Sequence, residues 1–247
     1  MNNYERFYQL HHQAVPFVLP NAWNVKSAQL INQSGFYAVG TSSGAISNSM
    51  GYEDGEKMPF KELLYIVQRI TKNVTIPVSV DLERGYTDNM SELTNNIEAL
   101  IDAGVVGINI EDAQGEELYL RKLTAIKNHL EKNNHKLFIN ARTDGFLQKL
   151  DSPIELTIKR AKLYKEAGAD GLFVTAVSDA AIITKIASSI TLPLNVVGTP
   201  KLASIQDLSG SGVRRISMAV LLYKASYAQL NKLIEEVNVK KSFVPLF

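Results

Sequence analysis

The chain has 247 residues, 26 Lys+Arg against 25 Asp+Glu for a net charge of +1, 45% hydrophobic residues and no cysteine. That balance offers no concentrated basic surface for nucleic acid or an anionic membrane. The missing cysteines exclude disulfides, zinc–thiolate and iron–sulfur ligation and a cysteine nucleophile. The length suits one α/β barrel, which commonly runs to about 250 residues.

Met1 to Val15 carries Glu5, Arg6, His11 and His12 and lacks the basic start and apolar run of a signal peptide. The apolar stretch Met218 to Tyr223 is far short of the roughly 20 residues that span a bilayer. A cytoplasmic location is expected, with no membrane and no nucleic-acid partner.

Short apolar runs rich in strand formers recur along the chain: Phe17 to Pro20, Phe36 to Gly40, Pro77 to Asp81, Gly107 to Glu111, Leu137 to Ala141, Gly171 to Thr175, Pro193 to Val197 and Val213 to Ser217. Each predicts a strand. Helical patterns lie between them, such as Glu62 to Ile70 and Ile97 to Ile101. Ser91 with Thr94, Ser152 before Pro153 and Ser178 with Asp179 are expected at helix starts, and Ala103-Gly104 and Ala167-Gly168 at helix ends. Asp102-Ala-Gly-Val-Val-Gly-Ile and Glu166-Ala-Gly-Ala-Asp-Gly-Leu repeat one unit of helix end, glycine turn and buried strand, and Gly210-Ser-Gly-Val-Arg-Arg-Ile is a weaker third copy. Strand and helix alternating without a composition break predict parallel pairing and a single (β/α)8 barrel of the TIM type over residues 1–247. An open doubly wound sheet is the alternative.

In a parallel barrel the chemistry sits at the carboxyl ends of the strands, and side chains two apart share a face. If the third strand stays extended, Ser79, Asp81 and Glu83 lie on one face. Asn109 and Glu111 share a face of the fourth, Asn140 and Arg142 of the fifth, and Asn195 adds an amide from the seventh. Three acids, an arginine and three amides are thus expected to converge on one rim. Crowded carboxylates repel unless a proton or cation sits among them, and hard oxygen ligands suit Mg²⁺ or Mn²⁺. Asp81 is the first choice for direct contact, with Glu83 and Glu111 behind it. Arg142 offers a fork for a carboxylate, so the set describes a site for a small acid that chelates the metal. Gly40-Thr-Ser-Ser-Gly-Ala-Ile-Ser-Asn-Ser-Met-Gly51 can form an anion-binding concavity or an ordinary strand-to-helix loop. Trp23 either walls the pocket or packs beneath it. Asp88, Asp112 and Asp144 are expected to be structural, and all four histidines to lie at the surface.

In order along nearly the whole chain, Leu19-Pro-Asn-Ala-Trp23, Gly51-Tyr-Glu-Asp54, Asp81-Leu-Glu-Arg-Gly-Tyr86, Asn109-Ile-Glu-Asp112, Asn140-Ala-Arg-Thr-Asp144, Pro193-Leu-Asn195 and Gly212-Val-Arg-Arg-Ile-Ser217, with Leu222-Tyr223 after it, resemble the isocitrate lyase/phosphoenolpyruvate mutase superfamily. The resemblance implies a Mg²⁺-dependent barrel that makes or breaks C–C or C–P bonds beside an α-oxo carboxylate through an enolate-like intermediate. It implies Asp81 as direct metal ligand, Glu83 and Glu111 as holders of metal-bound water, Arg142 as carboxylate anchor and the Ser42, Ser43 and Gly44 backbone as an oxyanion cradle. Asp54 matches a loop acid near the metal and Asn195 a substrate contact; Tyr52, Tyr86, Asp54 or water would protonate the enolate. A homo-oligomer, with the last helix packed on a neighbouring subunit, is also implied.

Three departures narrow the expectation. Isocitrate and methylisocitrate lyases of this superfamily carry a Cys-Gly-His loop after the fourth strand, where this chain reads Ala113-Gln-Gly-Glu-Glu-Leu-Tyr-Leu-Arg121. The lysine- and asparagine-containing gating loop of the phosphonate-processing members is missing there too, and Glu83 replaces the mutases' usual aspartate. The chain therefore resembles the short branch near oxaloacetate decarboxylase and related α-keto-acid-binding members. The expected function is a Mg²⁺-dependent C–C lyase or decarboxylase. A non-catalytic α-keto-acid binder, a phosphonopyruvate-type C–P enzyme and, behind them, a sugar-phosphate barrel are the alternatives.

Overall fold

The computed structural model describes residues 1–202, 205, 208 and 210–247. Nine parallel strand segments follow one another around a barrel: β1 (Phe17–Leu19), β2 (Asn21–Ala22), β3 (Val39–Thr41), β4 (Val78–Asp81), β5 (Gly107–Glu111), β6 (Phe138–Thr143), β7 (Gly171–Val174), β8 (Leu194–Val197) and β9 (Val213–Ser217). β1 and β2 are one strand interrupted at Pro20, which has no N–H to give to a ladder. β1 pairs with β9 and β2 with β3. The Pro20 carbonyl still accepts from Gly40 N at 2.9 Å, and the Leu19 carbonyl from Met218 N at 3.2 Å, so the sheet closes on itself. The expected eight-unit barrel is therefore seen, with its second strand later than predicted, at Val39–Thr41, and its fifth extended to Thr143.

Among the described residues the longer helices are α1 (Asn3–Leu10), α2 (Val25–Gln33), α3 (Ser43–Ser49), α4 (Phe60–Thr71), α5 (Met90–Asp102), α6 (Glu116–Asn133), α7 (Pro153–Glu166), α8 (Ala180–Ser189) and α9 (Leu221–Lys240). Asp179 caps α8 through the Ala181 and Ile182 amides, as expected. The cap of α5 is Asn89 rather than Ser91, and Ser152 makes no side-chain cap bond. Gly104 and Gly168 have φ of +86° and +108°, the left-handed conformation that ends α5 and α7 without a Cβ penalty.

Strand parity separates two interiors. Val80, Ile108, Ile110, Ile139, Leu172, Val174, Leu194 and Val196 pack outward against Leu63, Val67, Leu93, Ile97, Leu123 and Ile183 of the helices. The alternate positions face the barrel axis, and their middle layer is polar: Asn140 Nδ2 donates to Asn109 Oδ1 at 2.9 Å, and Ser217 Oγ to Asn195 Oδ1 at 3.0 Å. The floor is aromatic. Phe7 of α1 enters beneath Gly107, where a Cβ would stand 2.6 Å from its ring, and meets Phe17 and Phe138 edge-on.

His11 belongs to this floor, against the expectation that all four histidines are at the surface. It is 1% exposed, its Nδ1 donates to the Phe7 carbonyl at 2.8 Å, and its ring stacks on Phe138 at 3.9 Å. Burial holds its pKa well below the usual imidazole value. Because α1 folds under the barrel, one of two adjacent histidines turns inward, and only closure of the barrel distinguishes them. Among the described residues no helix is long and apolar enough to cross a membrane.

Candidate active site

β4 ends at Asp81, and the chain then turns sharply instead of staying extended. Glu83, Gly85 and Tyr86 have φ of +51°, +102° and +63°. Left-handed conformations in non-glycine residues cost about 1–2 kcal/mol each and persist where the surroundings enforce them. Here the turn brings Glu83 back to the mouth: Tyr86 Oη donates to its Oε1 at 3.0 Å and Glu56 N to its Oε2 at 2.7 Å. The predicted grouping of Asp81 with Glu83 thus holds, but through a turn rather than through strand parity.

Asp81 Oδ2 accepts from Ser43 Oγ at 2.8 Å and Ser43 N at 3.3 Å, so the start of α3 is directed at this carboxylate. Asp54 lies beside Gly44, where a Cβ would stand 3.0 Å from its Oδ2. Ser42 caps α3 through Ala45 N. Within the Ser42 to Gly44 segment, Ser43 is thus bonded to Asp81 and Gly44 lies against Asp54, which sets the implied oxyanion cradle beside two of the acids.

Arg142, on β6, bonds Glu111 through Nη1 at 2.7 Å and Asp144 through Nε at 2.8 Å and Nη2 at 2.9 Å. One N–H on each terminal nitrogen is left for another partner. Asp144 is itself held by Thr175 Oγ1 at 2.6 Å and, through its backbone N–H, by Asp112 Oδ1 at 3.0 Å. Asp112 is buried against Arg160 Nη1 at 2.8 Å and Tyr164 Oη at 2.6 Å. Both aspartates are structural as expected, and Asp144 sets the aim of Arg142.

Burial, with Asp81 and then Asp54 adding to it, pushes the Glu83 carboxyl up to about 7. Burial pushes Glu111 up to about 8, with Arg142 opposing and Asp81, Asp144 and Glu83 reinforcing. The surrounding acids hold Arg142 firmly protonated despite its burial. The Tyr86 hydroxyl is raised far above its usual range by burial and by Glu83.

The three amides lie deeper than predicted: Asn109, Asn140 and Asn195 are all buried below the acids. Trp23 is half-buried and packs on Tyr223 and Tyr227 of α9, with ring centroids 5.3 and 6.5 Å away. Tyr52 Oη is directed at Glu62 Oε1, 3.1 Å away. Tyr86 Oη is taken by Glu83.

Two residues that were not singled out from the sequence lace the rim. Glu56 Oε1 accepts from the Arg84 and Tyr86 amides at 2.9 and 2.7 Å, while its Oε2 pairs with Arg84 Nη2 at 3.0 Å. Lys122, 2% exposed, gives its ammonium to the Arg84 carbonyl, Asp88 Oδ1 and Gln114 Oε1 at 2.8, 2.8 and 3.0 Å. It thereby joins the loop after β4 to the loop after β5. Lys122→Met should cost about 1–3 kcal/mol by stranding those acceptors, read as a lower urea midpoint at unchanged slope. An unchanged midpoint would show that the tie carries no weight.

Among the described residues no trio of His, Cys, Asp or Glu side chains is arranged to enclose a metal by itself. The donor set instead suits a hydrated Mg²⁺, which needs one or two direct carboxylates and keeps several waters. Asp81 Oδ1 carries no protein hydrogen bond among the described residues, and Glu83 and Glu111 are raised by burial and, after it, by neighbouring carboxylates whose charge a cation would offset.

The family profile for phosphoenolpyruvate phosphomutase matches residues 7–238. The chain belongs to this family, within the isocitrate lyase/phosphoenolpyruvate mutase superfamily. An uncharacterized protein of Mycobacterium tuberculosis is 37% identical to this phosphomutase-family chain over 220 residues, covering 89% of this chain and 83% of that one. An oxaloacetate decarboxylase of Rhodopseudomonas palustris is 30% identical over 196 residues, covering 74% and 66%. The crystal structure of a Burkholderia cenocepacia protein superposes with a TM-score of 0.89 at 31% identity, covering 94% of this chain and 99% of that one. These phosphomutase-family relatives support an enzyme with the barrel fold described above.

Proposed function

We propose that the protein is a Mg²⁺- or Mn²⁺-dependent lyase or decarboxylase that cleaves the C–C bond beside an α-oxo carboxylate through an enolate intermediate. The reading is carried by the crowding of Asp81, Glu83 and Glu111 at the mouth, next to an arginine that three ionic bonds hold in place. Asp81 would hold the cation directly, and Glu83, Glu111 and Asp54 would hold its waters. The cation, when bound, supplies Lewis-acid polarisation of the substrate's oxo and carboxylate oxygens.

Arg142 binds the substrate carboxylate through its two remaining terminal N–H groups. Tyr86, with its hydroxyl given to Glu83, positions that acid rather than donating a proton to product. Decarboxylation leaves an electron pair on the substrate's C3, and the proton that quenches it comes from Asp54 or water. The loop after β5 contains neither cysteine nor histidine, which points away from isocitrate and methylisocitrate cleavage. Trp23 walls the pocket on the α9 side, and Asn195, buried beneath it, supports the floor.

The test is product formation from oxaloacetate, its alkylated and acylated derivatives and phosphonopyruvate, with and without Mg²⁺. Metal-dependent pyruvate release from oxaloacetate supports the reading. Metal-dependent binding without turnover across the panel would replace it with a binder, and cleavage of phosphonopyruvate alone with a C–P enzyme.

We also propose a homo-oligomer. α9 has no buried residue, and Tyr227, Leu230 and Ile234 form a stripe at helical spacing, each 43–58% exposed. Light scattering at micromolar concentration should give at least twice the 27.3 kDa chain mass; a monomer would refute it.

A further inference from the structure

Directly below the acids, Arg215 is fully buried, 0% exposed. A register irregularity puts Val213 opposite Leu194 and Arg215 opposite Asn195. Of two adjacent arginines, Arg214 reaches outward to the Ala14 carbonyl, while Arg215, two residues before the inward-facing Ser217, points into the barrel. Arg215 Nη2 donates to Asn109 Oδ1 at 3.2 Å and Nε to Ser217 Oγ at 3.3 Å, while Nη1 has no partner among the described residues.

These contacts are all neutral. A guanidinium buried without a carboxylate in contact is among the costliest groups a protein interior can hold. Burial lowers its pKa to about 9, with Asp81 the one charge pulling it back up, so it stays cationic at neutral pH. The amides explain how it is held: Asn140 and Arg215 both donate to Asn109 Oδ1, and Ser217 is steadied by Asn195. Neutral partners fix the guanidinium without cancelling its field. A carboxylate in the same place would bind it more tightly and silence it.

We propose that Arg215 is a positioning residue that acts through charge, a fixed cation under the acid cluster that weakens its hold on Mg²⁺ and strengthens its hold on the anionic substrate. The proposal rests on the reading of the cluster as a Mg²⁺ and α-oxo-acid site. It requires effects of opposite sign on the two ligands, which lost packing would not produce.

The experiment compares wild type with Arg215→Met, Arg215→Gln and Arg215→Lys, titrating Mg²⁺ alone and then oxalate, a planar dianion, at saturating Mg²⁺, with thermal unfolding alongside. In both neutral variants Mg²⁺ should bind about fivefold tighter and oxalate about fivefold weaker. Arg215→Met should unfold no earlier than wild type, because it relieves a desolvated charge. Arg215→Lys should keep both affinities within about twofold, because charge and not hydrogen-bond geometry carries the effect. Unchanged affinities in the neutral variants, both ligands weakened together, or a lysine variant that behaves like the neutral ones would overturn the proposal, as would failure of both neutral variants to fold. If wild type binds neither Mg²⁺ nor oxalate, the site reading itself fails and takes the proposal with it; if wild type binds both and the neutral variants match it, only the role of Arg215 fails.

Discussion

Asp81→Ala should lower metal-dependent turnover by about 10³-fold or more, because it removes the carboxylate that we propose holds the cation directly. The fold should survive. The Asp81 backbone N–H keeps its 3.0 Å bond to Thr41 Oγ1, and the side chain is only half-buried, with Ser43 as its partner. The variant also has a built-in control: Asp81 helps to raise both Glu83 and Glu111, so its loss should lower both carboxyl pKa values while activity vanishes. Steady-state rates at saturating Mg²⁺, with circular dichroism to verify folding, decide the matter. Turnover within tenfold of wild type would remove Asp81 from the metal site.

The second large effect concerns pH. Glu83 and Glu111 are raised in the folded chain to about 7 and about 8, above an unfolded value near 4.3. Between these limits the folded state binds more protons than the unfolded state, so stability falls as pH rises. Their contribution is fully present below about pH 4.3 and is lost progressively as pH climbs through 7 and 8. On the proposed reading Mg²⁺ would bind the ionised forms, so it should raise the unfolding temperature more at pH 8.5 than at pH 6. Glu83→Gln should flatten the decline in the metal-free protein between pH 5 and 8, measured by urea unfolding against wild type. An identical slope in the two proteins would show that Glu83 does not carry the effect.

Much of the site could be read before folding because its parts are tied to local signals. Asp81, Glu111 and Arg142 close apolar runs, and in a parallel barrel strand ends face one mouth. The glycine turns after α5 and α7 follow from the φ > 0 that a helix end requires. The depth of the amides could not be read this way. Parity sets which face Asn109, Asn140 and Asn195 occupy, but strand tilt and shear set their height in the barrel. Glu56 and Lys122 had no local signal, since their side-chain partners, Gln114 apart, lie 28 to 38 residues away. Glu83 was grouped with Asp81 on an assumption of extended backbone that the left-handed turn does not obey.

By itself the amino-acid sequence determined the alternation of strand and helix, the absence of thiol chemistry and the supply of acids at strand ends, because these depend on residue type and on spacings of a few positions. Only the tertiary structure decided which of His11 and His12 enters the floor, which of Arg214 and Arg215 enters the barrel, and which acids are tied to which loops. In the first two cases chemically identical neighbours compete, and the choice is made by how the helix and strand are set against the closed sheet and by hydrogen bonds between distant segments.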